Sequence, residues 1–407
     1  MTSVYCPDKT ICFILDATDE LNRLNDVDSI LDRILLDART LTGADAGSIF
    51  LTEGNTLRFA YVQNDTLFQS DSTNAVLYQD MTLPMGEGSI VGHAALTGET
   101  LMIDDAYELD PTLPYEFDKS FDEKSGYKTT SMLTMPIRSQ ENRMVGVIQL
   151  INARNERRKI IPFRPESETF LKLLANQAGV AIQRGLLNRE LVLRMMQMAE
   201  MRDPTETGAH VQRVGAYCAE IYQRMAQKRG TDPREVRSYR DRIRLAAMLH
   251  DVGKVSISDT ILKKPGKLTD EEFTCVKMHT ISGARLFRNQ TSNLDRMSMD
   301  IALRHHEKWS GSGYPGIVPD LWSPNARPGI PMQGRDIPLS ARICAVADVF
   351  DALTTPRSYK DAWPVEKAYS VLEEESGSHF DPEVIEAFMD ILPIITAIRE
   401  RFQDNGL

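Results

Sequence analysis

The chain has 407 residues, room for two or three domains at roughly 100–200 residues each. Hydrophobic residues make up 42% and charged residues 26%, the balance of a soluble globular protein with sizeable cores. A net charge of −11 argues against broad nucleic-acid binding, which favours a basic face, but leaves room for a small anionic substrate in a local basic pocket.

The N-terminal MTSVYCPDKTICFIL holds an acidic residue and no long apolar stretch, so no secretory signal is expected. No run approaches the ~18 apolar residues of a membrane span. The five cysteines, Cys6, Cys12, Cys218, Cys275 and Cys344, are scattered and form no CxxC pair. A disulfide framework is not expected, and a cytoplasmic location with no membrane partner is. From Asp26 to Thr42, Ile30, Leu31, Ile34 and Leu35 fit one helical face. AGSIFL, LRFAYV, TMPIRS and MVGVIQLIN are short apolar runs bounded by Gly, Asn, Glu or Pro, which predicts strands of one mixed or antiparallel sheet. A helix is expected over Ser89–Thr97, after the turn-rich MGEG. Together these elements predict an α+β domain.

Residues 165–200 contain no proline after the first position. Phe170, Leu173, Leu174, Ala181, Leu187, Leu191 and Met195 recur every three or four residues, so one long connecting helix is expected. Gly179 and Gly185 weaken it. Such a helix between two domains suits pairing with its copy in a homodimer; packing on its own domain is the alternative. From Met201 onward the chain reads as almost wholly helical, with helices expected at His210–Ala226, Asp241–Leu249, Asp270–Met278, Ser282–Phe287, Ser298–His305, Leu339–Leu353 and Pro382–Leu392. Trp309–Pro338 is too rich in Gly and Pro for an element and reads as a long ordered loop or lid.

Six of the seven histidines lie after residue 200. Glu206 and His210 are spaced to share a helical face, as are His250 and Lys254. His250 and Asp251 are adjacent, His305 and His306 precede Glu307, and Asp348 and Asp351 lie one turn apart on the apolar ICAVADVFDAL. A carboxylate buried in such a helix is costly unless paired or metal-bound. A lone histidine such as His279 is more often a core residue, and a single His-Asp pair arises readily by chance. Their conjunction changes the reading: imidazoles and carboxylates in this ratio suit Fe, Mn or Zn, and the absence of clustered cysteines disfavours a structural zinc site.

The motifs RDPTETGAHVQRV (202–214), LHDVGKVSI (249–257), MHTISGARLF (278–287), LRHHEKWSGSGYPG (303–316), IPLSARICAVADVFDALTTPRSYK (337–360) and HFDPEVIEAF (379–388) resemble the HD-GYP family of the HD phosphohydrolase superfamily. The resemblance implies an all-α HD-GYP bundle over 201–407. It implies hydrolysis of cyclic di-GMP to pGpG, and onward to GMP in some members, with two or three divalent ions, Fe before Mn. The implied metal ligands are Glu206, His210, His250, Asp251, His279, His305, His306 and Asp348. Asp251 is expected to bridge two ions and, with Lys254, to be catalytic. Lys254, Arg357 and Lys360 match phosphate-contacting positions, and Tyr314 is expected to shape the guanine side of the pocket. One departure stands out: IVPDLWSPNARPGIPMQGRD separates Gly316 from Ile337, where the family passes from GYPG to IPL in a few residues. That insertion would cover the substrate, meet the N-terminal domain, or be a surface excursion.

TGADAGSIFL (42–51), LPMGEGSIVGHAALTGETLMIDDAY (83–107), SGYKTTSMLTMPI (125–137) and VGVIQLINARN (145–155) resemble a GAF domain, nearest the cyclic-nucleotide-binding type. Asn152, Phe163 and Glu168 fit that subgroup's signature, whereas Ala153 and Ser167 depart from it. The resemblance implies a GAF sensor over 15–164, helices on a mainly antiparallel sheet, with a small-molecule ligand or a purely dimerising role. The expected whole is a GAF-regulated cyclic di-GMP phosphodiesterase. Its rivals are a cyclic GMP-AMP phosphodiesterase and an inactive cyclic-dinucleotide receptor acting through protein contacts.

Overall fold

The computed structural model describes residues 9–67, 81–200, 208–290, 292–355 and 362–403. The chain divides into two compact units, Met1–Leu187 and Asn188–Leu407.

The first unit opens with α1 (Lys9–Arg23), which the sequence reading missed, and α2 (Val27–Thr42). Helix α1 buries Ala17 and Leu21 and exposes Ile11 and Leu15 at the edge of its apolar side. Helix α2 starts where the Asp26 side chain accepts from the Asp28 and Ser29 backbone N–H groups, at 3.0 and 3.1 Å. It stops at Gly43, whose φ of 70° continues no helix. Then come β1 (Ala44–Glu53), β2 (Thr56–Asn64), β3 (Thr82–Pro84), β4 (Gly88–Ser89), α3 (Ile90–Thr97), β5 (Leu101–Ile103), β6 (Tyr115–Glu116), α4 (Ser120–Ser125), β7 (Met132–Arg138), β8 (Met144–Arg154) and β9 (Ile160–Ile161). The main sheet runs β3-β2-β1-β8-β7-β5 with β9 on β8, and all its pairings are antiparallel. All four runs expected to be strands lie in it. Asn152 takes φ 58° on β8. Its side chain donates to the Lys128 carbonyl (2.8 Å) and accepts from the Thr130 N–H (2.7 Å), stitching the entry to β7.

Helix α5 (Pro165–Glu200) begins in the first unit and ends in the second. Its two glycines are close-approach points. A Cβ on Gly179 would lie 1.9 Å from the Arg138 carbonyl oxygen, and one on Gly185 would lie 3.0 Å from the Val27 Cα. Leu171, Leu174, Ala178, Ala181 and Ile182 are buried on this side. The first half of α5 therefore packs on its own domain, while Leu187, Leu191, Met195 and Met198 stay exposed.

The second unit contains α6 (Gly208–Lys228), α7 (Pro233–Ala247), a 3₁₀ turn (Val252–Ser256), α8 (Asp259–Leu262), α9 (Asp270–Arg285), α10 (Asn293–Arg304), α11 (Leu339–Thr354), α12 (Val365–Glu374), α13 (Pro382–Met389) and α14 (Leu392–Arg401). It has no named strand among the described residues, as the all-α expectation requires. The two segments expected at 270–278 and 282–287 are one helix. Gly283 does not break it; a Cβ there would crowd the Gly253 nitrogen at 3.2 Å, so the glycine admits the 3₁₀ turn. Thr269 and Glu272 form a capping box at the helix start.

The loop 308–338 is ordered by its own hydrogen bonds. Ile317 N–H donates to the Ile330 carbonyl and Gly329 N–H to that of Pro315, both at 2.8 Å. Buried Glu307 accepts from Gly316 N–H (2.6 Å) and Met332 N–H (3.2 Å), tying the start of the insertion to its end. Between them, Val318, Leu321 and Ala326 pack on Ile281, Ala284 and Leu303, and Arg285 donates to the Leu321 carbonyl at 2.7 Å. The insertion is thus anchored on α9 and α10.

Replacing Gly179 by Ala should force α5 off β7 and cost about 1–3 kcal/mol, as overpacking does. The midpoint of denaturant unfolding of the full chain measures this, and an unchanged midpoint would refute the close packing.

Candidate metal centre

Five segments bring their polar side chains to one buried place. Helix α6 supplies His210, and α7 ends just before His250 and Asp251. Helix α9 supplies His279, the end of α10 leads to His305 and His306, and α11 supplies Asp348. Small residues allow this convergence. A Cβ on Gly215 would lie 2.6 Å from the Arg244 carbonyl, so α6 can lie close to α7. A Cβ on Gly253 would lie 1.9 Å from the His279 carbonyl, so the turn after Asp251 can press on α9.

Two donor groups result. Asp251, His279, His305 and His306 form one, and His210, His250 and Asp348 form the other, with the ligand atoms of each within 4.8 Å of one another. Asp251 faces both. Its Oδ1 lies 3.1 Å from His279 Nε2 and 3.5 Å from His305 Nε2, while its Oδ2 lies 3.4 Å from His250 Nε2. Asp348 Oδ1 is 3.8 Å from the Nε2 atoms of both His210 and His250.

The tautomers follow from the partners on the far side of each ring. His250, His279 and His305 turn Nδ1 to the carbonyls of Ala247 (2.9 Å), Val276 (2.6 Å) and Ile301 (3.0 Å). A carbonyl only accepts, so each Nδ1 carries a proton and each Nε2 faces the centre, where it could serve a cation. Those three Nε2 atoms are buried and close no hydrogen bond among the described residues. Buried polar atoms are seldom left so, and a cation would satisfy all three at once. The donor set therefore fits divalent metal.

Charge in the cluster points the same way. Burial pulls the His305 and His306 imidazoles below their ordinary range, for His306 helped by the neighbouring His305 and His279, which keeps both neutral as ligands must be. Burial would raise Asp251, but Lys254 and then His250 hold it well below the carboxylate range, so it is ionised. Burial also pulls His250 down; Asp251, then Cys344 and Asp348, outweigh it and push it up to about 10, so without a cation this ring also holds a proton at Nε2, which a metal would displace. The carboxylates that raise His250 would equally draw a divalent cation.

Lys254 lies where expected but for a different reason. It sits on the 3₁₀ turn, where residues three apart eclipse, so its Nζ meets Asp251 Oδ2 at 2.9 Å rather than sharing an α-helical face with His250. Tyr314, beside a cis bond to Pro315, stacks obliquely on His306 with ring centres 4.8 Å apart. Glu206, Arg357 and Lys360 lie outside the described residues.

The sequence reading gave no role to Asp351. It is wholly buried and accepts from His210 Nδ1 at 2.8 Å and from Arg213 Nε and Nη2 at 2.7 and 2.8 Å. Arg213 Nη1 also donates to the Phe402 carbonyl at 2.7 Å. Burial alone would raise Asp351, but these bonds and the Arg213 charge hold it below the carboxylate range. It orients His210 as the backbone carbonyls orient the other imidazoles. The signal was available: the burial argument that singled out Asp348 applies one turn further along the same helix.

Residues 26–182 match the model of the GAF domain, and residues 207–353 that of the HD domain, with a second HD model over 328–384. The chain carries a GAF domain and an HD domain. Its HD half is similar to named phosphodiesterases. It is 41% identical over 217 residues to the 3'3'-cGAMP-specific phosphodiesterase 2 of Vibrio cholerae serotype O1, covering 53% of this chain and 37% of that protein. It is 40% identical over 215 residues to a cyclic di-GMP phosphodiesterase of Thermotoga maritima, covering 53% and 52%. To the cyclic di-GMP phosphodiesterase response regulator RpfG of Xanthomonas campestris pv. campestris it is 39% identical over 202 residues, covering 49% and 47%. The chain spans about half the length of these relatives or less. The expected GAF and HD architecture thus holds, with an HD domain of the metal-binding type.

Asp351→Asn keeps the shape of the site but weakens the acceptor that fixes His210. Metal affinity should fall about 10–100-fold, the usual cost of losing such support. Competition with a chromophoric chelator reads this, and unaltered affinity would remove the orienting role.

Proposed function

We propose that the chain hydrolyses a cyclic dinucleotide, cyclic di-GMP first, at the centre formed by His210, His250, Asp251, His279, His305, His306 and Asp348. The single observation that carries the reading is Asp251, whose two oxygens face two separate imidazole-bearing groups. That geometry suits a carboxylate shared between two divalent ions. The similarity of the HD half to proteins named cyclic di-GMP phosphodiesterases supports the substrate.

Divalent ions bound there would supply Lewis acidity to the phosphodiester and acidify an attacking water. The chain's own residues do the rest. The carbonyl-bonded imidazoles hold their lone pairs inward without reorganising, and Asp351 does the same for His210. Asp251 balances the positive charge of the centre. Lys254, on its Oδ2, brings an ammonium to the side where a phosphate would lie and shields the anion as charge builds on its oxygens. Glu206 would extend the ligand set to a third ion, and Arg357 and Lys360 would add phosphate contacts. Iron is the first candidate and manganese the second, since imidazole with carboxylate accepts either. The product would be pGpG, and GMP if a second cut follows.

We assign 15–164 to a GAF sensor, 165–200 to a connecting helix and 201–407 to the phosphodiesterase domain. Exposed Leu187, Leu191, Met195 and Met198 on α5, spaced by four, four and three residues, support pairing with a second copy. A small molecule in the GAF domain would then act on the HD half through that helix. No described helix is long and apolar enough to cross a membrane. The free thiols Cys218, Cys275 and Cys344 favour a cytoplasmic setting, while the disulfide-bonded Cys12 runs against the expectation of reduced cysteines. A second reading, 3'3'-cyclic GMP-AMP as substrate, is favoured by the Vibrio cholerae relative of that name.

Anaerobically purified protein, analysed for metal and incubated with each dinucleotide, should convert cyclic di-GMP to pGpG when loaded with Fe or Mn. No turnover of either dinucleotide would sink the enzyme reading. Asp251→Ala should lose both metal and at least about a thousandfold in rate, near 4 kcal/mol; full activity with metal retained would refute the shared carboxylate. Light scattering should give a dimer for the parent chain and a monomer for Leu191→Glu with Met195→Glu, and a monomeric parent would exclude the pairing.

A further inference from the structure

Beside the metal centre the HD half presents an aromatic and cationic wall, of which the roles above use only Tyr314. Phe273, in the first turn of α9, exposes 44% of its surface although it is a large apolar ring. One turn on, Lys277 lays its Nζ 4.8 Å from the Phe273 ring centre and 5.5 Å from that of Tyr314. The two rings meet edge to face at 6.2 Å. Among the described residues Lys277 has no carboxylate within 4.0 Å, so its charge is balanced only by the two ring faces. The wall is continuous with the metal centre: Tyr314 stacks on His306 at 4.8 Å, and His306 lies 5.2 Å from His279.

We propose that Phe273 and Lys277, with Tyr314, form the subsite that holds a guanine base of the substrate. The chemistry selects that occupant. An exposed ring next to a phosphodiester-cutting centre offers a face on which a purine stacks. An ammonium without a counter-ion seeks acceptors, and the guanine edge offers two adjacent ones, O6 and N7. Adenine offers N7 beside an N6 amino donor, which an ammonium repels. Lys277 is therefore the residue that prefers guanine over adenine, and Phe273 the one that supplies sequence-tolerant stacking. The inference rests on the cyclic-dinucleotide reading for the identity of its substrate, but the wall and the metal centre are separate sets of side chains.

That separation makes the test decisive. Steady-state kinetics would be run on the metal-loaded full chain with cyclic di-GMP, cyclic di-AMP and bis(p-nitrophenyl) phosphate, a phosphodiester without a base. Phe273→Ala should raise KM for cyclic di-GMP about tenfold and leave kcat and the rate on bis(p-nitrophenyl) phosphate unchanged, and Phe273→Trp should restore KM. Lys277→Ala should lower kcat/KM for cyclic di-GMP at least fivefold and spare cyclic di-AMP, narrowing the ratio between them. An equal loss on the base-free ester, or no change in KM, would overturn the subsite. Binding of cyclic di-GMP by equilibrium dialysis without added metal gives an independent arm. If the parent chain binds but does not hydrolyse it, and Phe273→Ala weakens binding about tenfold, the subsite stands while the catalytic reading falls. If the parent chain hydrolyses cyclic di-GMP and both variants bind it as tightly as the parent, the reverse holds.

Discussion

A carboxylate buried among imidazoles is the constraint on which the HD half is built. Asp251 has 4% of its surface exposed, yet burial and neighbouring charge leave it ionised. An unpaired buried charge costs several kcal/mol, and helices brought together around it must supply the compensation. Lys254 supplies part, from one turn away. His250, His279 and His305 turn Nε2 inward around it, and divalent cations would complete the balance. The same imbalance that makes the centre costly to bury fits it to hold divalent metal.

The rest of the domain holds these groups still. Carbonyls at Ala247, Val276 and Ile301 fix three imidazoles, each bond being local to the turn or helix that carries the ring. His210 is different. Its partner Asp351 comes from α11, and Asp351 is itself held by Arg213, which reaches on to the carbonyl of Phe402 near the end of α14. A perturbation of those distant segments has a direct route to His210. The long insertion is disciplined in a comparable way, since Glu307, next to the paired histidines, accepts from backbone at both of its ends. Its order and the position of Tyr314 share one carboxylate.

In the first unit, small residues decide what can touch. Gly179 lets α5 lie on the carbonyl of Arg138 at the end of β7, and Gly185 lets it lie on α2. Propensity alone counts both glycines against the helix, but packing more than repays a cost of about 1 kcal/mol each. The GAF sheet around them keeps Asn152 in a left-handed conformation by using both ends of its amide on backbone. One of the three residues that fit the cyclic-nucleotide signature thus has a structural task of its own.

The sequence by itself determined the pairing of a GAF with an HD domain, the four main strands and the His and Asp side chains that the fold gathers into two donor groups. Short apolar runs bounded by turn residues, helical periodicity and the clustering of His and Asp are local or additive signals that survive without coordinates. Other features arose only in three dimensions. One helix at 270–285 replaced the two expected at 270–278 and 282–287, since the backbone runs unbroken through 279–281 and Gly283 packs on the turn at Gly253. Lys254 proved to serve Asp251 through a 3₁₀ turn, a distinction of a single hydrogen-bond register that spacing does not resolve. Asp351, Arg213 and Glu307 gained their roles from partners 9 to 189 positions away in the chain. The Phe273–Lys277–Tyr314 wall likewise needs a loop and a helix to meet. A ligand's type is written in its residue, but what orients it depends on which backbones approach closely, and only the packed chain decides that.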